Sequence, residues 1–450
     1  MLLLPFFAIS MALADPVDDY LKLQMERNHI PGLVVAVVKN GHVLKLKAYG
    51  KANLEWDAPV TTDTRFQLAS TTKALTGTAL MTLVQAGKIG LDDPLSKYLQ
   101  DAPPAWRGIT IRQLATHSSG IPDLPGLDLS PETTVAIAVK KVAELPLSHA
   151  PGDQAGYGSA DFVVLSRIME VVTGKSFPQL LQSQLFDPLA MKDSAFDEAI
   201  QFGPVRRSIP IPKRASVYYW DTKRQQIHAF IFPSHAYSAG GLYSSVSDLA
   251  KWISALDNGK ILSSQARATM WTQGKLSNGV STDWGIGWVS RTYEGRRVVG
   301  HSGGPALSDV LHFVDDGLTV IVLQNQQKMY PYLAQGVADI YLPLAKVRPY
   351  HPIKDPDPSQ TLRFRQLLDS LRRGKLDTKP FAAGHEDLIQ DVSNLLGPYS
   401  RSLGAMSKFE LVEAEGRSFV FAGVYGRKVV NWLFDLDADG RIVAMNCATP

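Results

Sequence analysis

The strongest constraint on the fold is where the strand-like sequence falls. Residues 33–50, LVVAVVKNGHVLKLKAYG, read as two strands around Asn40-Gly41. That dipeptide accepts positive φ at both positions and favours a tight hairpin. β-branched runs then return only late, as RRVVGH, LSDVLHFV and LTVIVLQN, the last two joined at Asp316-Gly317. Between them the pattern is helical. Leu75, Ala79, Leu80, Leu83 and Val84 recur at 3.6-type spacing over residues 69–86, with Gly87 as the stop. Helical segments follow in IRQLATHSSGIPD, SADFVVLSRIMEVVTG, FPQLLQSQLFDPL and SVSDLAKWISALDNG. Strands at both ends of a helical stretch call for one antiparallel sheet built from both chain ends. Helices flank it, and an all-α subdomain is inserted.

This unit is expected over residues 15–348. Residues 349–360, PYHPIKDPDPSQ, are dense in Pro and Asp and read as a linker. TLRFRQLLDSLRRG then has an amphipathic helical pattern, and residues 406–446 alternate like strands, so residues 361–450 are expected to form a small α+β accessory domain. The first fourteen residues, MLLLPFFAISMALA, lack charged side chains and end in an A-x-A pattern, as a secretory signal peptide does. An exported protein, periplasmic or secreted, is the expectation. No later stretch reaches the ~18 apolar residues of a membrane span.

Composition removes several classes. Of 450 residues, 45% are hydrophobic and 20% charged, which fits a globular chain rather than a disordered one. A formal net charge of +3 with scattered basic residues argues against nucleic acid or an anionic membrane as partner. The lone Cys447 excludes an internal disulfide and a thiolate metal site. No H-E-x-x-H or other ligand-spaced cluster occurs, and no glycine loop for phosphate follows a strand, so neither a metal nor a nucleotide cofactor is expected.

Three short patterns carry chemistry. Ser70-Thr71-Thr72-Lys73 opens an apolar helix, and the i, i+3 spacing puts Ser70 and Lys73 on one face. A serine hydroxyl is a weak nucleophile until a neighbouring base takes its proton. An amine can be that base, and a helix N-terminus offers a free N–H to a developing oxyanion. Tyr157-Gly158-Ser159 precedes a helix, and a phenol near ammonium groups can relay a proton. His301-Ser302-Gly303-Gly304 follows a strand, where glycines let backbone approach a ligand and the Gly304 N–H can be a second oxyanion donor.

The order of these patterns resembles the serine β-lactamase and penicillin-binding-protein superfamily. The nearer likeness is its class C-like branch, which holds family VIII-type esterases, D-amino-acid peptidases and other β-lactamase-related serine hydrolases. The segments QLASTTKALTGTALMTLVQAGKIGLDDPLSKYL, YGSADFVVLSRIMEVVTGKSF, SAGGLYSSVSDLAKWISAL, WGIGWV and VVGHSGG extend the likeness over residues 17–345. It implies the β-lactamase/transpeptidase-like α/β fold, with Ser70 as acylated nucleophile, Lys73 as proton acceptor and Tyr157 sharing the proton transfers. It also implies an oxyanion hole from Ser70 and Gly304, with Ser159, His301 and Gly303 meeting substrate. Two departures stand out. Ser159 replaces an Asn that can bind a substrate carbonyl, and His301 replaces a Lys that holds a β-lactam carboxylate. Both favour a carboxylesterase over a β-lactamase. A DD-peptidase or D-aminopeptidase comes next, a weak β-lactamase after it, and a non-catalytic penicillin- or wall-peptide-binding module is the reading from another class.

A rival reading places the nucleophile at Ser302, because Gly300-His301-Ser302-Gly303-Gly304 fits G-x-S-x-G, with Asp339 and His351 or His385 as partners. That motif needs strand–turn–helix, whereas the sequence here predicts strand–turn–strand. Trp284 and Trp288 read as packing residues, and His117 as a structural residue holding a loop beside the active-site helix.

Overall fold

The computed structural model describes residues 15–123, 133–198, 200–202, 205–304, 306–327, 333–342, 350–426 and 428–448. The expected signal peptide, residues 1–14, lies outside them, as do residues 343–349. The elements that position the site are α1 (Pro16–Asn28), β1 (Gly32–Lys39), β2 (His42–Asn53), α2 (Thr72–Gln85), α3 (Ala160–Thr173) and α4 (Val246–Asp257). They continue with β3 (Val289–Tyr293), β4 (Arg296–Gly303), β5 (Ala306–Phe313), β6 (Leu318–Gln327) and α5 (Leu333–Tyr341). In the C-terminal region lie α6 (Pro358–Arg372), β7 (Lys408–Glu415), β8 (Ser418–Tyr425), β9 (Lys428–Leu436) and β10 (Ile442–Ala448).

Six strands of the main sheet run in the order β3-β4-β5-β6-β1-β2, each antiparallel to its neighbours in that order. Its seam joins the two chain ends: Leu33 pairs with Gln324 and Lys39 with Leu318. The β1–β2 turn has φ of 48° at Asn40 and 76° at Gly41, the positive pair that the dipeptide tolerates. β1 is buried on both faces. Leu33, Val35 and Val37 meet Val17 and Leu21 of α1 and Leu333 and Val337 of α5. Val34, Ala36 and Val38 face a larger core with Leu75 and Ala79 of α2 and Leu249 and Trp252 of α4. Alternate residues of one strand thus feed two helical layers, which is why its sequence is a continuous apolar run.

The inserted region departs from the expected all-α character. Phe66–Gln67, Leu242–Ser244 and Ala195–Phe196 form a small sheet, and the hairpin Tyr218–Trp220 with Gln225–Ile227 joins the main sheet where Tyr218 meets Gln326. The hairpin turns at Thr222, whose φ is 80°. The expected linker also differs. α6 begins at Pro358, inside residues 349–360, because the Asp357 side chain accepts from the N–H groups of Ser359 and Gln360 and Pro sits in the first turn. Before it, Ile353 donates its N–H to Leu411 O at 2.9 Å, so this stretch lies along β7.

Strands β7 to β10 form a meander with its own core. Phe364, Leu367, Leu368 and Leu371 of α6 pack on Phe409, Phe421, Trp432 and Phe434. Phe364 stacks on Phe434 at 4.2 Å. Polar contacts fasten this region to the rest: Lys428 pairs with Asp339 of α5 at 2.5 Å and donates to the Tyr293 hydroxyl at 3.3 Å. Among the described residues, no helix is long and apolar enough to cross a membrane.

Candidate active site

Ser70 does not sit in α2 itself. It lies in one 3-10 turn, Ala69–Thr71, that leads into the helix, so α2 starts three residues later than the spacing predicts. Tertiary hydrogen bonds shape that turn. Leu68 O accepts from Ser308 Oγ at 2.6 Å, and Thr71 Oγ1 donates to His301 O at 3.1 Å. Ala69 has φ of 46°, rare for a residue with a side chain. Such strain costs on the order of 1–3 kcal/mol and persists where the surroundings over-determine it. At Gly303 a Cβ would lie 2.0 Å from Leu68 O and 3.0 Å from Ser70 N, so only glycine lets the end of β4 close on the Ser70 amide.

Lys73 is one turn on and 1% exposed. Its Nζ donates to the Tyr157 hydroxyl at 3.0 Å and to Ala239 O at 2.8 Å. Tyr157 is half-exposed on the loop before α3. Trp284 stacks on its ring at 5.2 Å, and His117 packs beside it at 4.9 Å. His117 is buried, its Nδ1 lying 3.2 Å from Asp161 Oδ2, and Asp161 also accepts from Ser119 Oγ. Burial pushes the His117 imidazole down toward its neutral form and the Asp161 carboxyl up. His117 therefore braces the Tyr157 ring.

The second wall is β4. His301 is buried, and its Nδ1 lies 2.9 Å from Ser302 O. Burial and the nearby Lys73 push its pKa down to about 3, so the ring is neutral. Ser302 points elsewhere: its Oγ donates to Asp309 Oδ1 at 2.7 Å, and Asp309 Oδ2 accepts from the Ala334 N–H at 3.2 Å. Burial pushes Asp309 up to about 6. β3 begins opposite Gly300, leaving one edge of β4 uncovered beyond it. A cavity of about 340 Å³ opens there, lined by Ser70, Tyr157, Trp284, Arg291, His301 and Ser302 among others.

The structure thus gathers Ser70, Lys73, Tyr157, His301 and Gly303. Gly304 follows in the turn to β5. Ser159 does not line the cavity; it sits at the N-cap position of α3, and its N–H donates to Asp123 at 2.9 Å. The elbow reading of Ser302 lacks its geometry. Ser302 pairs with Asp309 inside a strand hairpin, Asp339 is engaged by Tyr293 and Lys428, and His351 and His385 are exposed or half-exposed on the C-terminal side. Trp288 is core, stacked 5.4 Å from Trp252. Trp284 is not: it lines the cavity, a correction to the packing role read from the sequence. Sequence reasoning also passed over Arg291, Asp161 and Asp309. The signal for the two acids was a lone carboxylate within each apolar run.

A β-lactamase family model matches residues 17–341, which is most of the chain. The chain belongs to the β-lactamase family. Family membership makes it a β-lactamase-related hydrolase. Penicillin-binding protein 4* of Bacillus subtilis is 26% identical over 326 residues, covering 68% of this chain and 70% of that protein. Matches to further curated relatives span about half of those proteins, 47% in one case. Among solved structures, the octameric penicillin-binding protein homologue from Pyrococcus abyssi superposes with a TM-score of 0.64 at 22% identity, covering 96% of this chain and 98% of that one. The D-amino acid amidase from Ochrobactrum anthropi superposes with a TM-score of 0.58 at 24% identity, over 72% and 96% of the two chains. These likenesses match the antiparallel sheet and helical layers described above.

Proposed function

We propose that this β-lactamase-family protein is a serine hydrolase that works through a covalent acyl-enzyme, with carboxylic esters as its leading substrates. The observation that carries this is the Lys73 Nζ to Tyr157 hydroxyl bond of 3.0 Å beside a cavity that Ser70 and Tyr157 both line. Ser70 Oγ attacks the ester carbonyl as the Lys73–Tyr157 pair takes its proton. The carbonyl oxygen gathers charge and is met by the N–H groups of Ser70 and Gly304. The close seating of Gly303 on Ser70 supports that placement. Tyr157 passes the proton to the leaving alcohol. Water then attacks the acyl group, and Ser70 regains its proton from the same pair.

The neutral His301 favours esters over β-lactams. D-amino-acid amides are the second reading, favoured by the likeness to the D-amino acid amidase. The test is mass spectrometry of the intact chain after a fluorophosphonate. One adduct is expected on the Ser70 peptide, with none in Ser70→Ala. No adduct would leave only a non-catalytic binding module, and an adduct on Ser302 would reinstate the elbow. Turnover of p-nitrophenyl butyrate against D-alanine p-nitroanilide then ranks ester over amide.

A further inference from the structure

Two buried acid–base side chains behind Tyr157 take no part in the proton transfers above. His117 has φ of 57°, a strained value for a residue with a side chain, and its surroundings hold it there. Its carbonyl oxygen accepts from the Gly156 N–H at 2.8 Å, and its ring packs 4.9 Å from the Tyr157 ring. Its Nδ1 lies 3.2 Å from Oδ2 of Asp161, which sits in the first turn of α3. Asp161 Oδ1 accepts from Ser119 Oγ, which in turn accepts from the Ile121 N–H at 2.9 Å. Tyr157 itself is half-exposed between Gly156 and Gly158, and among the described residues its hydroxyl bonds only Lys73. The seat of the phenol is therefore built from Trp284, His117 and, through His117, Asp161.

The charge state of that seat matters to Lys73. A carboxylate near an amine holds it as an ammonium, which cannot take the Ser70 proton. Among the described residues no carboxylate pairs with Lys73; its Nζ donates to Tyr157 and to Ala239 O. Asp161 is 4% exposed and close enough for its charge and that of Lys73 to act on each other. Burial pushes its carboxyl up to about 8, with Asp123 adding to the push and Ser119, His149 and Lys73 opposing it. Burial and Lys73 push the His117 imidazole down to about 3, with Asp123 opposing. A buried acid O–H needs an acceptor, and the neutral imidazole offers Nδ1.

We propose that Asp161 is a positioning residue held in its acid form: its O–H donates to His117 Nδ1, which fixes the ring against Tyr157 and adds no negative charge beside Lys73. This rests on the serine-hydrolase reading and adds the groups that set its acid–base pair. The opposite arrangement, in which His117 donates to an ionised Asp161, would give Lys73 a buried counter-ion.

The experiment follows p-nitrophenyl butyrate hydrolysis against pH in the wild type, Asp161→Asn and Asp161→Leu. Asn keeps an N–H donor for His117 and a carbonyl for Ser119, whereas Leu keeps neither. Asp161→Leu should lose about tenfold or more in kcat with KM within about twofold, because the phenol is no longer seated. Asp161→Asn should restore kcat to within about threefold of wild type. The midpoint of its acid limb in kcat/KM should also stay at the wild-type value, because no charge has been removed near Lys73. Infrared difference spectra at neutral pH, wild type minus Asp161→Asn, should show a protonated-carboxyl band; Asp257 and Asp309 are common to both proteins and cancel.

An acid limb that moves down by about one pH unit or more in Asp161→Asn overturns the inference while the hydrolase reading stands, because it means that an ionised Asp161 was holding Lys73 protonated. A carboxylate band in place of the protonated one does the same. So does a folded Asp161→Leu that keeps the wild-type kcat. The acid limb and the infrared band decide the matter even if Asp161→Leu fails to fold. No turnover by the wild type, with no fluorophosphonate adduct at Ser70, instead brings down the hydrolase reading, while the infrared band still decides the state of Asp161.

Discussion

The region around the cleft and the C-terminal region are built in opposite ways. In the first, β1 pairs with β6 across almost the whole unit, and the site draws on Ser70, Tyr157 and His301 from far-apart segments. In the second, each of β7 to β10 pairs with its sequence neighbour, and α6 closes the core. The first leaves polar atoms facing a cavity. The second turns its largest side chains inward and satisfies the Trp432 indole N–H with the Tyr425 hydroxyl at 3.0 Å. Non-local pairing forms slowly but brings distant groups to one place, whereas local pairing forms readily and gathers only its own neighbours. The cleft therefore belongs to the region whose two ends had to meet.

The contrast can be broken where it is strongest. Trp432→Ala should cost about 3–5 kcal/mol, as large aromatic truncations in cores do. If the two cores are independent, calorimetry will show one transition falling while ester hydrolysis at 25 °C persists. Joint loss of both would mean that the regions fold as one. Tyr157→Phe removes the hydroxyl but keeps the ring against Trp284 and His117. It should lower kcat about a hundredfold or more with the melting temperature nearly unchanged, measured by steady-state ester kinetics and thermal unfolding.

A smaller effect tests the back of β4. Asp309 is pushed up to about 6 from an ordinary value of 3.8, so between these the folded protein holds a proton that the unfolded chain has released. Its contribution to stability is full below the lower value and is lost as pH rises through the upper one. Asp309→Asn cannot ionise, so its melting temperature should gain on the wild type from about pH 4 to about pH 7 and level off above. A flat difference would show that Asp309 is not held in this way. The smallest effect is expected at the fastening between regions. Lys428→Ala loses a partly exposed pair with Asp339 and should cost at most about 1 kcal/mol, read from denaturant unfolding.

Much of this architecture is legible in the sequence, and the exceptions share a cause. The Asn40-Gly41 hairpin, the late strands and the α2 periodicity are local signals, and the structure places them as read. The Ser70, Lys73, Tyr157 and His301 motifs are local too, each tied to one turn or strand end. The delayed start of α2 is different, because two tertiary hydrogen bonds set it, from Ser308 of β5 to Leu68 O and from Thr71 to His301 O of β4. Trp284 is likewise decided by tertiary context, since a Trp beside Trp288 has the same spacing whether it faces a core or a cleft. Asp161 and Asp309 read as ordinary polar positions until folding buries them, one against His117 and one against Ser302. The short strands of the inserted region lie in segments too brief for periodicity to declare.

The central claim is that Ser70 is the nucleophile and that Ser302 serves only to hold β4 through Asp309. Hydrolysis of p-nitrophenyl butyrate by Ser70→Ala and Ser302→Ala, assayed side by side, tests it most directly. Ser70→Ala should fall by at least about a thousandfold, while Ser302→Ala stays within about tenfold of wild type. A Ser302→Ala protein that is folded and inactive beside an active Ser70→Ala would contradict it.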